Sequence, residues 1–278
     1  MDFATILGIG VGALLVVGTV LISEGFKGLL PFLNYEAFLI VVGLTACALF
    51  VNYPISQVMG LMKVVKKVLT SAGEETGEIV STFVNLARKA RAEGFLALDT
   101  DVRNLRNDFL KRGVQLVVDG SDKEFIQNMM ETELGFIKER HKIGQEMFNA
   151  LGTYAPAFGI IGTVLGMILM LSSIEDVSAV PRRMALALAA AFFGLSLGYL
   201  IFLPIAGKLR RRSEEELLVK EIIIRGVLLL HSGASPMIME SNLKAYLEPA
   251  KRMALTPAGR PEAPAAPAGG GAGGTGTA

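Results

Sequence analysis

Three residues in the second half of the chain are suited to handling an ion inside an apolar segment. Pro156 and Pro204 each remove a backbone N–H from a long apolar stretch, so an earlier carbonyl oxygen needs another partner. Thr163 adds a hydroxyl in the same part of the chain. Such oxygens suit a gate or a wet path for ions. The alternatives are a static kink at each proline and a Thr163 hydroxyl bonded to a carbonyl of its own helix.

The long apolar stretches hold no side chain that could carry a proton. They run approximately over Phe3–Ile22, Tyr35–Tyr53, Asn149–Leu171 and Met184–Pro204. Each is near the roughly 20 residues that a helix needs to cross a bilayer, and none has a charged residue in its interior. Because a carboxylate inside a bilayer is costly and marks function, we expect the titrating group of any ion-driven machine here to come from a second polypeptide.

Small and special residues recur along one face of the third and of the fourth apolar stretch. With spacings of three and four residues, they are Pro156, Gly159, Thr163, Gly166 and Met170 in the third, and Ala187, Ala191, Gly194 and Gly198 in the fourth. Small residues let helix backbones approach closely in lipid. The pattern predicts either packing of the third span on the fourth or two thin walls beside an ion path.

The basic residues predict the orientation of the chain in the membrane. Of 27 Lys and Arg residues, 14 lie between Pro54 and Phe148 and 10 lie from Lys208 onward. The positive-inside rule makes both regions cytoplasmic, and four spans then place both termini inside. Arg182 and Arg183 depart from the rule, and neighbouring Glu175 and Asp176 offer a local neutralisation.

We therefore predict an all-α integral membrane protein, with four transmembrane helices and a helical cytoplasmic subdomain between spans 2 and 3 and after span 4. A capping-box pattern at Ser121–Glu124 starts a helix that continues into the third span, Lys208–Ser232 continues the fourth, and Met237–Leu247 forms a further helix. The predicted segments are transmembrane helices 1 and 2 (1–54), a cytoplasmic helical domain (55–148), transmembrane helices 3 and 4 as the ion-path wall (149–207), C-terminal cytoplasmic helices (208–253) and a disordered tail (254–278).

Composition and motifs argue against several other classes of protein. A formal net charge of +1 does not favour nucleic-acid binding. The one cysteine, Cys47, lies in the second apolar stretch and cannot form an intrachain disulfide. His141 and His231 show no metal-ligand spacing, and no phosphate loop or nucleophile motif is present. We expect no enzyme activity, no cofactor and no bound metal.

Several segments resemble the MotA/PomA stator subunits of the bacterial flagellar motor. They are TYAPAFGIIGTVLGMILML, MALALAAAFFGLSLGYLIFLPIAGKL, the following RRRSEEELLVKEIIIRGVLLLHSGASPMIMESNLKAYLEP, IVVGLTACALFVNYP and LARKARAEGFLALDTD. The resemblance extends from the N-terminus to about Pro249. It implies a ring of five such subunits in the inner membrane around two single-span MotB/PomB-like chains. Their membrane aspartate carries the ion and their periplasmic domains bind peptidoglycan.

The same resemblance implies roles for four residues. Pro156 and Pro204 match the two prolines that couple ion binding to shape change. Arg91 and Asp99 match the charged pair that engages the rotor protein FliG. Taken alone, Arg91 belongs to an ordinary solvated basic face with Arg88 and Lys89, and Asp99 could cap a helix that begins near Thr100.

The coupled ion is predicted from three positions. Sodium-using members of the family have a threonine matching Thr163, and threonine again where this chain has Ala190 and Ala191. A desolvated sodium ion needs several oxygen ligands, whereas a proton needs a carboxylate and a water path. The missing hydroxyls at Ala190 and Ala191 therefore favour protons, with sodium as the alternative.

An ExbB/TolQ-type energiser of outer-membrane transport or envelope processes is the nearest rival. It shares the paired thin-walled spans and a single-span aspartate partner. Such subunits normally have three spans. The two N-terminal spans and the FLALD stretch at Phe95–Asp99 favour the flagellar interpretation.

Overall fold

The computed structural model describes residues 3–61 and 76–247, with side chains from residue 7 onward. These residues are mostly helical and contain no β-strand. The α-helices named here are α1 (Phe3–Glu24), α2 (Tyr35–Asn52), α3 (Thr76–Glu93), α4 (Asp99–Asn104), α5 (Asp108–Val118), α6 (Lys123–Ser172), α7 (Val180–Leu195), α8 (Leu203–His231) and α9 (Pro236–Lys244). Residues 55–61 are also helical. The 3-10 segments Gly25–Phe32 and Phe95–Leu98 follow α1 and α3, and a π-helical segment, Ser196–Phe202, joins α7 to α8.

Four helical stretches among the described residues are long and apolar enough to cross a membrane. They are Leu7–Phe32, Tyr35–Asn52, Lys123–Ser172 and Val180–His231. The predicted all-α class with four spans is confirmed. The third and fourth spans continue into the long helices that the sequence predicted, because α6 is one helix of 50 residues and α7, the π-helical segment and α8 form a rod of 52. The predicted disordered tail, 254–278, lies outside the described residues.

The membrane half is built around α6. Helices α2, α7 and the first part of α8 pack on it, and α2 also packs on α7. An apolar cluster of Ala37, Val41, Leu186, Ala189 and Ala190 fills the space where α2 meets α7. Helix α1 stands apart, since its apolar side chains are largely exposed and its contact with the other spans includes Gly12 beside Leu200. In a membrane this face of α1 meets lipid or another polypeptide.

The cytoplasmic half has its own apolar core. Helices α3, α5, α9, the N-terminal part of α6 and the C-terminal part of α8 contribute to it. Its fully buried large side chains include Phe83, Ile222, Met239 and Leu243. Gly226 lies directly beneath the Phe83 ring, where a Cβ atom would approach the ring to 2.5 Å. The predicted cytoplasmic helical subdomain therefore has a core independent of the membrane half.

Local details differ from the sequence-based expectations at three helix ends or loops. Helix α6 starts after Asp122, which makes no side-chain cap hydrogen bond, so the predicted capping box at Ser121 is wrong although the helix start is right. Helix α9 ends at Lys244, three residues before Leu247. Arg182 pairs with Glu36 at 3.1 Å, between the first turns of α7 and α2, and for Arg182 this ion pair replaces the predicted neutralisation by Glu175 and Asp176.

Candidate functional site

The seam between α6 and α7 brings two helix backbones almost into contact. A Cβ atom added to Gly194 would lie 2.7 Å from the carbonyl oxygen of Ala155 and 2.8 Å from the Cα of Gly159. Gly166 is packed equally closely against Ala187, at 2.7 Å from its Cβ. Packing of the third on the fourth span, one of the two predicted explanations for the small residues, is confirmed. Any larger side chain would separate the helices.

The three positions that bear on the coupled ion lie beside this seam. Ala190 is fully buried, and its Cβ lies 2.5 Å from where a Cβ of Gly162 would be. Ala191 and Thr163 are half-buried. The Thr163 hydroxyl donates to the carbonyl of Ile160 at 2.7 Å, so it satisfies a group of its own helix as the bland alternative predicted. In a single chain, Thr163 and Ala191 therefore keep partly open surface that a second polypeptide could cover.

The two prolines lie less than two helical turns apart along the packed helices. The ring of Pro156 fills the space above Gly198, at 2.7 Å from where a Cβ would be, and the side chain of Leu203 fills the space above Gly152. Gly198 therefore marks the level of Pro156 on the fourth span. Pro204 follows Gly198 by six residues, which is about 9 Å farther along the helix axis. Pro156 is half-buried in the seam, whereas Pro204 is exposed.

The π-helical segment Ser196–Phe202 ends two residues before Pro204 and contains Gly198. A proline ring clashes with the preceding turn of an α-helix and donates no hydrogen bond. A wider π turn removes that clash, and π segments of this kind occur mostly as local bulges at functional sites. The sequence predicted a helix break at Pro204 but not this form of it. The fourth span thus departs from α-helical geometry between the level at which Pro156 packs on Gly198 and its own Pro204.

A charged hairpin forms the second candidate surface. The end of α3, the 3-10 turn Phe95–Leu98 and α4 reverse the chain, with Gly94 at a φ of 85°. Arg91 is exposed and makes no ion pair with any described residue. Asp99 begins α4 without capping it and accepts a hydrogen bond from Arg103 at 2.8 Å. The hairpin places Arg91 and Asp99 on opposite arms of one turn, with Arg91 available to a partner.

A second ion pair closes the base of this hairpin and was not predicted. Lys89 donates to Asp101 at 2.7 Å, joining α3 to α4. The hydrogen bond to Asp101 raises the pKa of Lys89 above its ordinary value, so the ammonium stays charged. Leu98 and Val102 are fully buried beneath the pair. Spacing within one helix could have suggested Asp99–Arg103, but no sequence signal links Lys89 to a residue twelve positions away across a turn.

The histidines lie between cytoplasmic helices and hold elements together. His141 Nδ1 is 3.0 Å from the Ser213 hydroxyl, which links α6 to α8. His231 Nε2 donates to the Ser121 carbonyl at 3.1 Å. Across residues 3–61 and 76–247, no cluster of three His, Cys, Asp or Glu residues is positioned to hold a metal ion.

The chain is similar in sequence to known motility proteins. The family described as "MotA/TolQ/ExbB proton channel family" matches residues 101–222. Motility protein A of Treponema phagedenis is 37% identical, over 92% of this chain and 97% of that protein. The chemotaxis protein PomA of Vibrio alginolyticus is 34% identical, over 91% of this chain and 98% of that protein.

The fold is similar to that of a solved stator. The structure of the flagellar MotAB stator complex from Bacillus subtilis contains a chain that superposes with a TM-score of 0.82 at 30% identity, covering 91% of this chain and 98% of that one. The coverage extends across the spans and the cytoplasmic helices alike. Similarity of this extent in both sequence and fold shows that the chain belongs to the motility protein A (MotA/PomA) family, within the MotA/TolQ/ExbB proton channel family.

Proposed function

We propose that the chain is a stator subunit of the flagellar motor, and not an enzyme. With a single-span MotB-like partner, it couples inward ion flow to torque on the rotor. One observation carries this proposal in a chain of this family: the closely packed seam of α6 and α7 holds Pro156; a π-helical segment and Pro204 follow directly after α7; and residues 149–171 and 184–204 contain no charged side chain. A wall without a titratable group needs a partner that brings one.

The assembly is a ring of five copies around two partner chains in the bacterial inner membrane, with both termini cytoplasmic. The matched Bacillus subtilis structure is that of a MotAB stator complex, which supports a MotB-like partner. The excess of Lys and Arg in the cytoplasmic regions supports the orientation. The exposed apolar surface of α1 supports contact with lipid or neighbouring copies.

The residues of the seam and the hairpin have separate roles in this proposal. Pro156 and Pro204 couple ion arrival to a change in helix shape, and Thr163, Ala190 and Ala191 form part of the wall that the partner's helix faces. Arg91 and Asp99 contact FliG, where complementary charges set register and steering more than affinity.

The coupled ion is a proton. Ala190 and Ala191 offer no side-chain oxygen, and the Thr163 hydroxyl is already bonded to Ile160. A sodium site needs several oxygen ligands within a small shell, and this wall supplies few. Swimming speed should be independent of external sodium and should collapse with a protonophore. Motility that follows sodium and survives the protonophore would show that sodium is the coupled ion.

The test of the function is deletion of the gene in its own host, with any second stator set deleted too. Tethered cells are scored for rotation, and filaments are counted by microscopy. Cells that keep their filaments, stop rotating and recover on re-expression would identify a stator. Continued rotation would assign the chain to an envelope-energising relative of the TolQ/ExbB type.

A further inference from the structure

Helix α6 exposes a row of large apolar side chains in its cytoplasmic part. Phe125, Met129 and Phe136 are 55%, 43% and 73% exposed. At 100° per residue they fall within about 40° of the helix circumference. Phe136 lies 13 residues before Asn149, the predicted start of the third span, or about 20 Å along the helix. Lipid cannot cover this row, so we expect protein to do so. We call Phe125, Met129 and Phe136 the α6 row.

An open groove of about 700 Å³ adjoins the α6 row. Met129 and Phe136 line it on one side, and Arg106 and Asp108 lie on its rim before and at the start of α5. Arg106 and Asp108 are exposed and make no ion pair with any described residue. Arg140 is exposed as well and also lines the groove without an ion pair to a described residue. The groove therefore combines the apolar side chains of Met129 and Phe136 with two unpaired cations and one unpaired anion.

The outer face of α8 complements this groove. Leu218 is 40% exposed, and Glu221 and Arg225 follow it at helical spacing. Both of these charged residues are exposed and have no ion-pair partner among residues 3–61 and 76–247. Leu218, one unpaired anion and one unpaired cation thus face outward on α8. This surface complements the apolar side chains and the mixed unpaired charges of the groove.

The α6 row and Leu218 lie at the same height above the membrane. His141 and Ser213 are in contact, which sets the level of α6 against antiparallel α8. Phe136 is five residues from His141 and Leu218 is five residues from Ser213, so each lies about 7.5 Å farther into the cytoplasm. Copies of the chain in one membrane share this height, so the two surfaces can meet between neighbours.

The two surfaces also point in different directions. Glu216 and Lys220 of α8 line the groove. Leu218 is two residues from each, which turns its side chain by roughly 160–200° to the opposite side of α8. A contact between unlike surfaces of a subunit is heterologous, and such contacts generate a closed ring when the rotation between neighbours closes.

We propose that the α6 row and its groove bind the Leu218 face of α8 from a neighbouring copy, head to tail around a ring. This inference rests on the ring assembly of the proposed function. The other candidate occupant is the chain's own segment 62–75, which lies outside the described residues. Its three lysines outnumber its two glutamates, Glu74 and Glu75, so its net positive charge does not complement a groove whose unpaired charges are Arg106, Arg140 and Asp108.

Cysteine cross-linking of the full chain, co-expressed with its partner chain, tests the contact. Phe136→Cys and Leu218→Cys are combined in a Cys47→Ala background, and membranes are treated with a short bis-maleimide. Both positions are exposed, so the substitutions should leave the fold intact. We expect a ladder of covalent oligomers up to the ring size. Either single cysteine should give none, and neither should the control pair Phe136→Cys with Leu96→Cys, whose second site is 80% exposed on the hairpin.

The remaining outcomes overturn the proposal in distinguishable ways. Ring-sized particles without a ladder would show that the copies meet through other faces, and the proposed function would stand. Dimers from Phe136→Cys alone would show a two-fold contact in its place. An intrachain link between Phe136→Cys and Val65→Cys would assign the groove to segment 62–75. Purified complexes that hold a single copy of this chain would contradict the ring assembly of the proposed function.

Discussion

The seam and the hairpin differ in the residues that form them and in the contacts that these residues make. In the seam of α6 and α7, glycine and alanine bring backbones together, with a Cβ added to Gly194 only 2.7 Å from the Ala155 carbonyl. In the hairpin, charged side chains on a short turn are joined by ion pairs that are partly exposed, such as Lys89 with Asp101. The seam tolerates almost no change in volume, whereas the hairpin tolerates changes that keep charge. Shape complementarity therefore governs the membrane half, and electrostatics governs the proposed rotor surface.

The largest effect should come from filling the seam. Gly194→Ala forces a methyl group against Ala155 and Gly159, and overpacking of this kind costs about 1–3 kcal/mol. We expect a lower melting temperature of the detergent-purified complex and little or no rotation. Gly43→Ala is the matched control, because no atom lies within 4 Å of a Cβ there. Equal melting temperatures for the two variants would show that the seam is looser than its distances indicate.

Replacing either proline should stop rotation while sparing the protein. Pro156→Ala removes the ring that lies on Gly198, and Pro204→Ala removes the reason for the π-helical turn. We expect normal amounts of membrane-inserted chain and at least tenfold lower torque in tethered cells. Pro181→Ala, at the start of α7 outside the seam, serves as the control. Normal torque in both proline variants would show that the prolines are static kinks, and it would weaken the contrast with the hairpin.

Charge reversal in the hairpin should have a partial effect. Arg91→Glu or Asp99→Lys alone should reduce swimming speed modestly, and the two together should reduce it more, because register depends on several charges. Lys138→Glu, an exposed reversal on α6, provides the comparison. Swimming at wild-type speed by the double variant would exclude the pair from the rotor surface.

The smallest effect should come from the ion pair at the base of the hairpin. Lys89→Gln removes a bond that orients α4 on α3, and we expect less than a twofold loss of torque, with Lys89→Arg close to wild type. The pKa of Lys89 is raised by Asp101, so the pair's stabilisation is complete below the ordinary lysine pKa and is lost only as pH rises through the raised value. The ratio of variant to wild-type speed should therefore stay constant between pH 6 and 9. A ratio that changes within that range would assign the effect to another group.

Much of the membrane half could be predicted from the sequence because its sequence patterns extend over many residues. Stretches of about 20 apolar residues define spans, and the Gly and Ala spacing in the third and fourth spans predicted their packing. Hydrophobicity could not predict that Ala190 would be buried between three helices while Ala191 kept open surface, since both are small and adjacent. That difference depends on the rotation of α7 against α2 and α6.

The hairpin was harder to predict because its contacts join residues that are distant in sequence. The α6 row was harder to predict because its side chains are exposed in the single chain. Lys89 meets Asp101 only after a glycine with a positive φ turns the chain. Phe125, Met129 and Phe136 have the spacing of a core-facing stripe, yet Ile126 and Met130 form the buried side of α6. An apolar repeat predicts a helix without saying which neighbour covers it. The sequence of one chain cannot distinguish an apolar stripe that its own fold buries from one that a second polypeptide covers.

The unbroken α6 gives the subunit a lever. From Pro156 to its start at Lys123 the helix runs 33 residues, which is about 50 Å. A bend of about 5° at the proline would move the far end by about 4 Å if the helix stays straight, since kinks concentrate at such sites. The core around Phe83 is attached to that far end and carries the hairpin with it. A bend at Pro156 that is too small to open the seam could thus displace the hairpin by a distance comparable to the length of a side chain.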